Sequence, residues 1–191
     1  ETELLSQELF TLINSLSASG ALTDEAMQNI ANTFVQNTIA EEVAPDAYTR
    51  TMLDISYNNT STELHSYQGA LEKTINPAIE KGVGQEMQAI ASGIYLGDAS
   101  FFQNLAVAGD VYLQTSKALI AIPNIPSTVA SYHLALANDM EKIGMSLKSM
   151  TDMIDNPAAG LGAFVSYQNY TDSLIRNING LGIILQRNGI L

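Results

Sequence analysis

The chain has 191 residues, 46% of them hydrophobic, which suits one domain spanning 1–191 that buries roughly 70% of the surface its unfolded form would expose. A formal charge of -12, from 20 acids against 8 bases, argues against nucleic acid or anionic lipid as partner, because phosphate binding needs clustered Lys and Arg. The absence of cysteine excludes disulfides, thiolate metal sites and cysteine nucleophiles, and no apolar run approaches the ~18 residues of a membrane span.

The stripe Leu5, Leu9, Leu12 and Leu16 predicts a first helix that stops at Gly20. Thr23 and Asp24 open a second, which carries Met27, Ile30, Phe34 and Val35 and ends before Pro45. Met52, Leu53 and Ile55 mark a third segment of this broken helical half. Beyond the turn signal Asn58-Asn59, helical spacing resumes with Leu64, Tyr67, Leu71 and Ile75 up to Pro77, which either kinks the helix or starts the next one at Asn76. Gly82-Val83-Gly84 predicts a break before a short helix with Met87, Ile90, Ile94 and Tyr95, ended by Gly97. Residues 1 to 95 hold 13 acids and 3 bases, so most of the negative charge belongs to the front half, 1–97, where it reads as solvated helix faces.

The back half, 98–187, is more regular. With Asp98 as the expected N-cap, Phe101, Leu105, Ala108, Tyr112, Thr115, Leu119 and Ile122 alternate by four and three until Pro123. Ser127, placed as a cap, precedes Val129, His133, Leu136, Met140, Ile143, Leu147, Met150 and Ile154, a run closed by Asp155-Asn156-Pro157. Asn156 as cap and Pro157 at the first helical position open a last helix with Leu161, Phe164, Ile175, Ile178, Leu181 and Leu185. The expected fold is therefore an all-α bundle. Three long helices, near 99–122, 127–155 and 157–187, form the core, with the shorter front helices packed on them.

Chemistry-bearing motifs are sparse. His65 and His133 are the only imidazoles, so three-histidine sites are impossible. Thr62 and Ala130 stand where a di-iron bundle needs the Glu of Glu-x-x-His, and Met87 stands where a dinucleotide loop needs its third glycine. Asp152, Asp155 and Asn156 read as a helix end and not as a calcium loop. No catalytic residue, metal site or cofactor is expected. His65, near Glu63 and Glu72, reads as exposed. His133 lies on the apolar stripe and must find a hydrogen-bond partner there, either as a satisfied core histidine or as a polar contact in a ligand cavity with Tyr112, Tyr132 or Asp139 nearby. Gly109 and Gly144 fall on or beside the stripes, where glycine means either close helix approach or a pocket. Met140, Met145, Met150 and Met153 read as irregular core filling, with an adaptable binding surface as the alternative.

The tract Ile122-Pro123, Ile125-Pro126-Ser127, Tyr132-His133-Leu134, Leu136, Asn138 and then Asp155-Asn156-Pro157-Ala158 with Tyr167 resembles uncharacterised helical proteins of small-genome bacteria. The resemblance covers roughly the last ninety residues. Where that group has Asp-Pro, this chain has Asn156 between Asp155 and Pro157. The resemblance implies a helical fold and a place outside the cytoplasmic membrane, and it carries no activity or residue role.

Polarity supplied mainly by Ser, Thr, Asn and Gln, with no cysteine, gives the same extracytoplasmic expectation (secreted, periplasmic or cell-surface), although that composition also suits a cytoplasmic helical protein. A start at Glu1 instead of Met adds the expectation of a removed signal peptide or anchor. The functional expectation is a non-enzymatic interaction or structural module with a protein partner, an accessory of a bacterial surface or secretion apparatus. The alternative is a bundle that holds a small apolar or amphipathic ligand through His133 and a tyrosine.

Overall fold

The computed structural model describes residues 45–90, 99–152 and 156–190. The stripe of Leu5 to Leu16, the helix from Thr23 to Val35, the cap Asp98, the positions Ile94, Tyr95 and Gly97, and Met153 to Asp155 lie outside the described residues. Among the described residues four long helices dominate: α1 (Ser61–Glu80), α2 (Ala99–Ile120), α3 (Ala130–Ser149) and α4 (Pro157–Arg187). The chain is an all-α bundle, and the three C-terminal helices stand within a few residues of where their apolar periodicity places them.

The register of α2, α3 and α4 follows from which residues meet. Gly109 lies against Gly144, whereas Leu119 meets His133, so the partner number falls on α3 as it rises on α2, and the two helices are antiparallel. Tyr132 lies against Gly180 and Lys142 against Tyr170, which gives the same sense for α3 and α4. Short connections between consecutive helices favour this arrangement. α3 is the middle helix, and every member of its predicted stripe from Val129 to Met150 is buried.

The glycines set how closely the helices approach. A Cβ at Gly109 would sit 2.7 Å from the Gly144 carbonyl oxygen, and one at Gly144 would sit 2.8 Å from the Gly109 carbonyl oxygen. Both obstacles are backbone, so neither can swing aside. Of the two readings these glycines allowed, close approach is the one observed.

Several local expectations are corrected. Met52, Leu53 and Ile55 do not form one α-helical segment: Met52 ends a 3-10 turn (Arg50–Met52), Leu53 follows it as an extended residue, and Ile55 opens β1 (Ile55–Ser56), which pairs in parallel with β2 (Ile125–Pro126) through Ile55↔Ile125. The β-branched Ile55 and Ile125 suit that two-residue ladder, and Ile125 is buried. Of the two alternatives at Pro77, a new helix starting at Asn76 is excluded, because Pro77 lies inside one continuous helix. α1 continues to Glu80, and Lys73, whose carbonyl the missing Pro77 N–H would have met, is an exposed residue.

Ser127 does not cap α3, whose N-cap is Val129 without a side-chain bond. The Ser127 hydroxyl instead accepts from Asn59 Nδ2 at 2.9 Å, while Asn59 Oδ1 accepts the Thr128 N–H at 3.1 Å, so a residue from the α1 approach holds the segment that leads into α3. Asn59 adopts φ 51, a left-handed conformation that asparagine tolerates. Asn156 does cap α4, accepting from the Ala159 N–H, with Pro157 in the first turn.

On α4, Leu161, Phe164, Leu181 and Leu185 are buried as expected, but Ile175 and Ile178 are 52% and 46% exposed. Burial there follows Tyr167, Leu174 and Leu181 at seven-residue spacing, and Ile175 points about 100° around the helix from Leu174. Met140 and Met150 fill the core, while Met145 is exposed.

Candidate functional site

Side chains of α3 form two polar clusters, on different faces. His133, fully buried, forms the first: its Nε2 lies 2.9 Å from the Leu119 carbonyl at the end of α2, and its Nδ1 lies 3.0 Å from the Tyr67 hydroxyl on α1. A carbonyl only accepts, so Nε2 carries the proton, and Nδ1 accepts from the Tyr67 O–H. The rings meet edge to face at 69° with centroids 5.6 Å apart. Burial pushes the imidazole pKa below its ordinary value, opposed by the bond to Leu119, and burial raises that of the Tyr67 phenol. One neutral tautomer thus joins α1, α2 and α3.

The tyrosines singled out with His133 have other partners. Tyr112 is hydrogen-bonded to Glu86, a buried carboxyl that also accepts from the Tyr167 hydroxyl at 3.2 Å and from the Gly84 N–H at 2.8 Å. Burial and then the Glu86 charge push both phenols upward, so they remain donors. Tyr132 lies over Gly180, where a Cβ would collide with its ring. His133, Tyr112 and Tyr132 therefore do not share one set of contacts. Asp139 does not reach His133 either: six residues further along α3 it points about 240° around the helix and receives a 2.7 Å bond from Asn177 on α4.

The second cluster occupies a groove of about 470 Å³ between α3 and α4. Lys142, nearly buried, extends its Nζ to Asp46 at 2.6 Å and lies 5.2 Å from the centre of the Tyr170 ring. The Asp46 side chain is 62% exposed. It belongs to a strap that Asn138 clamps at Tyr48, accepting from the Tyr48 N–H at 2.9 Å and donating to the Tyr48 carbonyl at 3.1 Å. Tyr48 reaches on to Ser116 of α2 at 3.2 Å. Burial raises the pKa of Asp139, against the lowering effect of its bonds from Asn177 and Ser173 and of the Lys142 charge.

Sequence reasoning missed Lys142, Asp46, Asn177 and Tyr170 as a group. One signal was present: Asp139, Glu141 and Lys142 crowd four positions beside the α3 stripe in a chain only 15% charged. Nothing comparable marks Asp46 or Asn177. Among the described residues no group of three or more His, Asp or Glu side chains is arranged to hold a metal ion, and no helix is long and apolar enough to cross a membrane.

No family model, curated protein or solved structure matches this chain.

Proposed function

We propose that the chain is a non-enzymatic helical interaction module whose partner is a protein presenting an apolar helical face. The observation that carries this reading is the outer surface of α4, where Ile175, Ile178 and Ile183 are 52%, 46% and 49% exposed. Isoleucine at three such positions of one helix leaves apolar surface that a partner would remove from water at roughly 25 cal/mol per Å². The polar groups of the bundle support the same reading, because His133 has both ring nitrogens engaged and Glu86 is held by Tyr167, Tyr112 and Gly84.

A setting outside the cytoplasmic membrane, as an accessory of a surface or secretion apparatus, is part of the proposal. It rests on cysteine-free composition and on polarity supplied by Ser, Thr, Asn and Gln. The test is a photo-crosslinker at position 178 in cells that make the protein, combined with fractionation. A discrete protein adduct that disappears when Ile175 and Ile183 become serine, found outside the cytoplasm, is expected. An adduct-free chain in the cytoplasm contradicts the proposal.

A further inference from the structure

The α3–α4 groove presents two opposite charges on one side of α3. Asp139 and Lys142 are three residues apart, so their Cβ atoms stand about 5 to 6 Å from each other. Both residues are largely buried and line the same groove. Lys142 has its carboxylate partner on the exposed strap, in Asp46. Asp139 is bonded from the far wall by Asn177.

We infer that this groove binds a free amino acid or the like zwitterion, with the ligand carboxylate taking the position of the Asp46 carboxylate on Lys142 and its ammonium on Asp139. The charge balance selects this class. Once a ligand carboxylate has displaced Asp46 from Lys142, the groove is left with one ammonium and one carboxylate, Lys142 and Asp139, so a simple anion pairs only with Lys142 and a simple cation only with Asp139, whereas a zwitterion pairs with both. A zwitterion adds no net charge, and its dipole opposes that of the Asp139–Lys142 pair.

The remaining walls fit the rest of such a molecule. Leu134 and the Tyr170 ring offer apolar surface for a side chain, and a volume of about 470 Å³ leaves room for one. Asp46 is then an internal competitor. Held next to Lys142 by the Asn138 clamp on Tyr48, it occupies the carboxylate position until a ligand displaces it, so the apparent Kd is the intrinsic one divided by the fraction of time the position is open. The inference stands on the groove alone and does not depend on the α4 surface.

The experiment follows the side-chain amide NMR signals of Asn138 and Asn177 in the full chain during titration with free L-amino acids. Acetate and methylamine serve as probes that carry the two charges separately. Saturable shifts with at least one amino acid, larger than with either single-charge probe, are expected, and Asp46→Asn should tighten the apparent Kd by ~10-fold by removing the competitor. Asp139→Asn and Lys142→Gln should each weaken binding while leaving the His133 signals in place. Asp46→Asn, altered only at an exposed side chain, keeps the test decisive even if Lys142→Gln fails to fold. Absence of saturable shifts in both the wild type and Asp46→Asn, or an equal response to acetate alone or to methylamine alone, would overturn the inference.

Discussion

The two polar clusters of α3 are built from similar side chains and differ in what holds them. Around His133 each polar atom meets a partner fixed in another helix, Tyr67 from α1 and the Leu119 carbonyl from α2, with the Gly109–Gly144 contact closing α2 against α3 further along. Around Lys142 the partner is a side chain 62% exposed on a strap, and the space beside it is open to solvent. A histidine sealed between helices has both ring nitrogens committed, and exchanging either bond means separating helices. A lysine paired with an exposed carboxylate can exchange that partner at little cost. Function is therefore better sought on the α4 side of α3 than on its α2 side.

Cavity formation on the sealed side should have the largest effect. Leu147→Ala and Ile143→Ala are each expected to lower stability by about 2 to 5 kcal/mol in chemical denaturation, and a loss below about 1 kcal/mol at both would mean that this face is not a packed core. Next comes Gly144→Ala, whose new methyl group would meet the Gly109 carbonyl at 2.8 Å. A cost of about 1 to 3 kcal/mol is expected there, whereas the same change at Gly182, where a Cβ meets nothing within 4 Å, should be neutral or slightly stabilising.

His133→Phe sharpens the comparison because it fills the space but strands the Leu119 carbonyl and the Tyr67 hydroxyl. A loss of about 1 to 3 kcal/mol is expected. A simple core histidine without those bonds would have tolerated the exchange. The effect also depends on pH. Burial lowers the folded pKa of His133 below 6.5, so the unfolded chain binds a proton that the folded chain refuses. The stability contribution is complete above pH 6.5 and is lost as pH falls from there toward the folded pKa. Denaturation midpoints measured from pH 7.5 downward should therefore fall less in His133→Phe than in the wild type. On the open surface, replacing Asp110 with Ala breaks its ion pair with Lys148, where both side chains are about half exposed, and should cost no more than about 1 kcal/mol.

The sequence made one of these sides legible and not the other. Apolar spacing from Val129 to Met150 is a property of one helix, and so is the placement of His133 and Gly144 on or beside that stripe, which is why the buried face of α3 could be written down in advance. The partners could not. Tyr67 is separated from His133 by 66 positions and Asp46 from Lys142 by 96, and no periodicity links them.

The misplacement of Ile175 and Ile178 has a related cause. On the 31-residue α4 the buried line keeps a seven-residue spacing from Tyr167 to Leu181 while an ideal helix drifts against it by about 20° per heptad, so the first and last apolar residues do not define the middle. Ser127 suits a cap by its position alone. The Asn59 contact shows that the approach to a helix can be held by a segment remote in sequence.

The most direct test of the difference between the two sides of α3 is the protonation state of His133 followed by ring nitrogen NMR across pH. The account predicts a neutral ring with its proton on Nε2, a nonprotonated Nδ1, and a titration midpoint below the ordinary 6.5. A proton on Nδ1 of the neutral ring, or a midpoint at or above 6.5, would contradict it.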